Sequence, residues 1–357
     1  MKTIGIFTFL CKGVKPWDPD SIYEGITGSE EAVIYAAEEL VHLGYRVVVF
    51  GMPPENSIHS SPMANPRYLS MMTQESISVD IAIAWRAPGA GQHLRKFAKQ
   101  VYLWPHDITN QKLSTFLTQS FDDVLWLSSF QRAQWVSVNP GFAKYTHIYG
   151  NAIQPHQFGE IQERENPYSC IYGSNYGQGL EYLLDLWPKI KNEFPRATLD
   201  IYYGWEHWGF LSPAEESKVR QQIAAYAPLG VKEHGLVSHK EIHEAYQKAS
   251  FWTYPLKFHE TFCITALKAQ FGGAIPVARA ITGLVESMRH GYGCSTQEEF
   301  PPLLFQALRQ AEQITLEQRR AMRTFILKDY TWTQIAKKWK RQFDLDERLL
   351  EPPRLIS

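Results

Sequence analysis

Short apolar runs alternate with longer stretches of helical period along almost the whole chain, the pattern of parallel strands joined by crossover helices. In the first half the predicted strands are TIGIFTF, YRVVVF, DIAIAW, QVYLWP, DVLWLS and YTHIYG. In the second half they are YSCIYG, TLDIYYG, VKEHG, SFWTYP and AIPVA. Between the first two strands lies GSEEAVIYAAEELVHLGY, where Val33, Ala36, Ala37, Leu40 and Leu43 recur at helical spacing and Gly44 is placed to end the helix. The expected fold class is α/β, with two Rossmann-like, doubly wound parallel-sheet domains.

The 357 residues exceed what one hydrophobic core usually fills, which agrees with two domains. The stretch 151–169 is polar, carries Pro155 and Pro167, and has no clear period, so it reads as the linker. The expected spans are 1–155 and 168–330, followed by a C-terminal helix and tail, 331–357, packing back toward the first domain. In WTQIAKKWKRQF, Ile335, Trp339 and Phe343 share one side while Lys337, Lys338, Lys340 and Arg341 lie elsewhere. Such a basic face is ordinarily solvated; weak peripheral contact with the inner membrane face is the lesser alternative.

Thirty-six Lys and Arg against 37 Asp and Glu leave no field that argues for nucleic acid as a partner. Cys11, Cys170, Cys263 and Cys294 are far apart, form no Cys-x-x-Cys pair and read as reduced and structural. The apolar run of the amino terminus is short and β-branched, which favours a first strand over a signal peptide. No stretch approaches the roughly 18 apolar residues of a membrane span. A cytoplasmic protein is expected.

Open parallel sheets bind ligands at the carboxyl ends of their strands, so chemistry is sought in the strand-to-helix loops. In EGITGSEEA, Gly28 permits close backbone approach and Ser29 suits a cap, where free N–H groups attract phosphate. An ordinary capped helix start accounts for it as well. WPHD places His106 at a strand end as a hydrogen-bond donor for a hydroxyl or a developing charge, and Asp107 as a cap. AWRAP supplies Arg86, a permanent cation, at another strand end. In PLKFHETFCITAL, Glu260 precedes a helix, where a carboxylate is electrostatically comfortable, and RAITGLVES repeats that arrangement with Gly283 and Glu286.

The unbroken order of strand FWTYP, Glu-bearing loop, helix, Gly-Gly, strand AIPVA and TGLVE resembles the retaining GT-B glycosyltransferases, in particular the large family four (glycosyl transferases group 1). GITGSEEAVIYAAEELVHLGYRVVV, the His-Asp pair, IYGNAIQPHQF and YTWTQIAKKW extend that resemblance over nearly the whole chain. It implies two facing domains and a central cleft, with the second domain binding a nucleotide-sugar donor and the first a saccharide or glycolipid acceptor. Glu260 would hold hydroxyls of the donor sugar, Phe262 and Cys263 would offer backbone amides to the diphosphate beside Gly28, and His106 would sit by the transferred sugar. His259, Thr261, Gly283 and Glu286 complete the donor set, and Trp17, Tyr23, Arg86 and Asp107 are the acceptor candidates. The resemblance also implies retention of configuration, with the departing phosphate taking the acceptor proton. Neither a metal nor another cofactor is expected.

Three positions depart from the family pattern. Lys268 stands where the second Glu of the Glu-seven-residues-Glu motif would accept bonds from a ribose. Ser174 and Gln178 stand where Arg and Lys would hold the diphosphate. Lys268, Lys257 or Arg86 could bring charge from new directions; otherwise the fold persists as a binding or partner subunit with little transferase activity. A nucleotide-sugar 2-epimerase shares the two-domain architecture and is a further alternative, while a dinucleotide oxidoreductase lacks its Gly-x-Gly-x-x-Gly turn.

Overall fold

The structure, a computed structural model, describes residues 1–9, 15–204 and 211–350. Cys11 therefore lies outside the described residues. The chain forms two domains, one made of 1–20, 29–152 and 330–357 and the other of 21–28 and 153–329.

The first domain holds strands β1 (Thr3–Thr8), β2 (Arg46–Gly51), β3 (Arg67–Ser70), β4 (Ile81–Trp85), β5 (Gln100–Trp104) and β6 (Asp123–Val124). The second holds β7 (Ser169–Gly173), β8 (Thr198–Tyr202), β9 (Val231–Gly235), β10 (Phe251–Tyr254), β11 (Ile275–Arg279) and β12 (Tyr292–Cys294). Every pairing is parallel. The orders β3-β2-β1-β4-β5-β6 and β9-β8-β7-β10-β11-β12 are one topology used twice. In each sheet the order reverses between the first and fourth strand, and ligands of doubly wound sheets settle beyond the carboxyl ends of that pair.

The central strands are apolar at nearly every position because helices cover both faces of a parallel sheet. Ile4, Ile6, Phe7, Ile81, Ala82, Ile83, Val101 and Leu103 are all fully buried, as are Ile171, Tyr172, Phe251 and Trp252 in the second domain. The helix Gly28–His42 carries ten buried residues and stops at Gly44, whose φ of +90° suits glycine. It begins at Gly28, so Ser29 lies inside the first turn and is not the cap.

One strand read from sequence is not formed in the structure, and two that it forms were not read from sequence. YTHIYG contributes only an isolated bridge, Trp126 to Ile148, since β6 is two residues long and offers it no edge. The edge strands β3 (RYLS) and β12 (YGC) escape the pattern because they are short and carry polar or glycine positions among few apolar ones.

The helix Trp332–Leu350 belongs to the first domain. Ile335, Trp339 and Phe343 are buried on it, and Trp339 meets Trp104 edge-on with ring centroids 4.8 Å apart. Gln100 Nε2 donates to the Phe343 carbonyl at 2.8 Å, and the Tyr102 hydroxyl donates to Asp346 Oδ2 at 2.6 Å. Lys337 and Lys338 are exposed, and Lys340 is paired with Asp344 at 2.6 Å. No helix among the described residues is long and apolar enough to cross a membrane.

Trp339→Ala should cost about 3–5 kcal/mol of first-domain stability, the range for truncating a buried aromatic. Urea unfolding followed by tryptophan fluorescence checks this; a midpoint unchanged from wild type would show that the helix is not part of the cooperative unit.

Candidate functional site

In the second domain the loops after β7, β10 and β11 meet at the reversal of strand order. Glu260 follows β10. Its backbone is held on both sides by the loop after β11: Glu260 N–H donates to Thr282 Oγ1 at 3.0 Å, and Gly283 N–H donates to the Glu260 carbonyl at 2.9 Å. The approach is so close that a Cβ at Gly283 would lie 2.2 Å from the Thr261 carbonyl oxygen. Thr282 has a φ of +56°, a conformation costly for a β-branched residue, and the bond from Glu260 helps to hold it there. Ser287 Oγ donates to the Phe262 carbonyl, which extends the same clamp.

The Glu260 carboxyl group is half-buried, and Tyr254 Oη donates to its Oε1 at 2.5 Å. Burial pushes this carboxyl up to about 7, against the opposing pull of the Tyr254 hydrogen bond. Ser174 Oγ lies 3.0 Å from Tyr254 Oη. Gln178, also in the loop after β7, joins that loop to the residues before Glu260. Its Oε1 accepts from Phe258 N–H at 3.3 Å, its Nε2 donates to the His259 carbonyl at 3.4 Å, and its own carbonyl accepts from Lys257 N–H at 3.1 Å. Gly179, with φ of +113°, is packed against the Pro255 carbonyl so tightly that a Cβ would meet that oxygen at 2.1 Å. Ser174 and Gln178 thus serve the architecture around Glu260.

Lys257 Nζ pairs with Glu181 at 2.7 Å and lies 3.9 Å from Glu215, so its charge is already balanced. Lys268 sits buried on the helix Ile264–Gly272, close enough that its charge helps hold His243 well below the ordinary histidine value, after burial itself. Burial also lowers His259. That helix starts after Cys263, which has a φ of +75°; Phe262 and Cys263 are buried, and burial with the nearby Glu260 keeps the Cys263 thiol well above its usual range. Thr261 and Glu286 are half-buried, and Glu286 lies in the one-turn helix Leu284–Ser287 that follows Gly283. Gly28 belongs to this domain too: a Cβ there would meet Ile264 Cδ1 at 3.6 Å, at the start of the helix after Glu260.

One cation here was not singled out from the sequence. Arg279 ends β11 and reaches across the strand ends, donating from Nε to the Ser295 carbonyl at 3.2 Å and from Nη1 to the Leu256 carbonyl at 3.2 Å. Among the described residues no carboxylate pairs with it. The signal was available in PVAR, a basic residue closing a buried strand.

In the first domain Arg86 follows β4 and His106 follows β5. Arg86 grips Asp107 with two bonds, Nε to Oδ2 at 2.8 Å and Nη2 to Oδ1 at 2.9 Å, and its Nη1 is 3.7 Å from Glu30 Oε1. Asp107 therefore holds Arg86 and caps no helix. The guanidinium lies 4.8 Å over the Trp85 ring, and Arg86 itself has a φ of +61°. His106 is buried edge-on to Trp104, with centroids 4.6 Å apart, and to Trp85. Burial and then the Arg86 charge hold the imidazole well below its usual value, so at neutral pH it is uncharged.

Trp17 is buried against Tyr68, whereas Tyr23 is exposed in the second domain's segment 21–28. Asp18-Pro19-Asp20 has a spacing that metal sites also use, and with His59 it brings ligand atoms within 4.8 Å of one another. Their donors are spent locally: Asp18 accepts from Ser57 Oγ and Asp20 N–H, and Asp20 faces His59 Nε2 at 3.3 Å.

Glu260→Gln isolates the cost of the half-buried carboxylate. Because the folded value lies above the unfolded one, this group contributes stability below pH 4.5 that is lost as pH rises to about 7. The variant should be more stable than wild type at pH 8, by an amount on the order of 3 kcal/mol at most, and nearly equal to it at pH 4.5. Thermal midpoints at the two pH values check this, and parallel curves would contradict it.

No family model matches the chain, and no curated protein matches it. Solved structures do. The fold is similar to that of sucrose-phosphate synthase from Thermosynechococcus elongatus, with a TM-score of 0.71 and 16% identity over 98% of this chain and 99% of that one. A glycosyltransferase from Rickettsia africae gives a TM-score of 0.69 at 13% identity, over 98% of this chain and 99% of that one. HepE from Anabaena, solved with UDP-glucose, gives 0.68 at 13% identity, over 96% of this chain and all 100% of its own. The fold is that of the GT-B glycosyltransferases, two Rossmann-like α/β domains.

Proposed function

We propose that this protein is a retaining, metal-independent glycosyltransferase that moves a sugar from a nucleotide-diphosphate sugar to a saccharide or glycolipid acceptor. The observation that carries this reading is the placement of Glu260. A half-buried carboxylate stands beyond the switch point of the second sheet, its backbone locked by Thr282 and Gly283 and one oxygen held by Tyr254. A carboxylate fixed in that way is suited to accept hydroxyl hydrogens from a sugar ring. The fold shared with HepE, which was solved with UDP-glucose, supports a nucleotide sugar as the ligand.

In this reading the amides at the start of the helix Ile264–Gly272 meet the diphosphate, and Arg279 supplies the cation that Ser174 and Gln178 do not. Neutral His106 donates a hydrogen bond beside the transferred sugar without adding a charge. The departing phosphate takes the acceptor proton on the face it leaves, so configuration is kept.

A second reading, a binding or partner subunit of the same fold, is favoured by the use of Ser174 and Gln178 in tying loops together and by the pairing of Lys257 with Glu181. A panel of nucleotide sugars separates the two. Turnover or slow hydrolysis of one of them is expected, and no nucleotide binding even at millimolar concentration would leave the partner subunit as the better account. With the responsive donor, Arg279→Ala should raise its KM about tenfold with little change in kcat, the mark of a charge that binds substrate and transition state alike. Glu260→Ala should instead lower kcat/KM by about a hundredfold or more, since a fixed polar contact to the reacting sugar is lost.

A further inference from the structure

We propose that Tyr254 is a positioning residue for Glu260, and that Ser174 completes a three-member relay, Ser174–Tyr254–Glu260, which aims the carboxylate and favours its charged form for the donor sugar. The proposal rests on the glycosyltransferase reading for its functional part and on geometry for the rest.

Tyr254 ends β10 and is fully buried, between Tyr172 of β7 at 5.9 Å and Trp252 at 4.9 Å between ring centroids. A buried phenol needs a partner for its hydrogen, and here that partner is Glu260 Oε1 at 2.5 Å. An ionised carboxylate has no hydrogen to give, so the phenol proton lies on the Glu260 side. The Tyr254 oxygen is then an acceptor, and Ser174 Oγ, 3.0 Å away, is the donor that fills it. Both hydrogens of the relay point toward the carboxylate.

The consequence is directional. With Oε1 occupied by Tyr254, Oε2 is the oxygen presented to a ligand. Each hydrogen bond delivered to the charged form favours it, which opposes the burial that would otherwise neutralise the acid. Burial, with the Glu260 charge adding to it, holds Tyr172 on β7 and Cys263 at the start of the helix Ile264–Gly272 well above their ordinary values. Glu181 acts on Tyr172 from the helix Leu180–Glu193 and is paired with Lys257. His259, adjacent in sequence, is lowered by burial. Among these groups Glu260 is the carboxyl raised to about 7.

Tyr254→Phe keeps the ring and removes the hydroxyl, so the fold should survive with Glu260 deprived of its donor. The acidic limb of the donor-turnover profile should then move to higher pH by about one unit, the usual size for losing one hydrogen bond to a charged group. At pH 9 the carboxylate ionises without help, so the loss of kcat/KM should be smaller there than at neutral pH, and what remains reads the aiming role alone. Ser174→Ala should shift the limb in the same direction by less, and Ser174→Thr, which keeps the hydroxyl, should restore the wild-type profile. Coincident acidic limbs for wild type and Tyr254→Phe would overturn the proposal. Thermal midpoints against pH give an activity-independent arm, in which the window assigned to Glu260 should extend to higher pH in Tyr254→Phe. Should wild type turn over no donor, the glycosyltransferase reading fails; the thermal arm still decides the pairing, and an unmoved window there refutes the relay.

Discussion

A carboxylate withdrawn from water must be given hydrogen bonds or lose its charge, and the second domain is organised around that requirement at Glu260. The backbone of Glu260 is held by Thr282 and Gly283, its Oε1 by Tyr254, and Tyr254 in turn lies within reach of Ser174. Three strand-end loops are needed to assemble this set. Two of them carry residues that no unstrained loop would choose, Thr282 and Cys263 at positive φ, and the third turns at Gly179 against the Pro255 carbonyl. Strain concentrated in one cluster of loops and offset by hydrogen bonds is characteristic of a site that must be rigid before its ligand arrives.

The same organisation explains why Ser174 and Gln178 are not cations. The Gln178 side chain offers one acceptor and one donor to the loop before Glu260, and a lysine, whose side chain only donates, could not accept from Phe258 N–H. Ser174 is small enough to stand beside the buried Tyr254 hydroxyl without bringing in a charge. Arg279 places a cation at these strand ends, spanning the ends of β10 and β12. In the first domain the permanent charge of Arg86 is balanced by Asp107 and Glu30, and its effect on the uncharged His106 is to keep it so.

Much of this was legible beforehand in particular residues. Buried parallel strands cannot hide polar positions, so the central strands stood out as apolar runs, and Glu260 and Gly283 stood out only through the unbroken order of strand, loop, helix and strand that resembles the glycosyltransferases. The edge strands β3 and β12 did not, since an edge needs few apolar positions. YTHIYG has the composition of a strand, yet β6 is too short to pair with it along its length.

Sequence by itself determined the α/β class, the presence of two domains, the long helix between β1 and β2 and the shared apolar side of the C-terminal helix through Ile335, Trp339 and Phe343, because each follows from local period and apolar content. Only the tertiary structure decided the partners: that Tyr254, rather than any neighbour in the motif, binds Glu260, that Arg86 is held by Asp107, that Lys257 is held by Glu181, and that residues 21–28 group with the second domain. The physical reason is that hydrogen bonds and ion pairs between loops depend on distances set by the sheet order, and strand-end residues such as 174, 254, 260 and 283 carry no period that records which of them will meet.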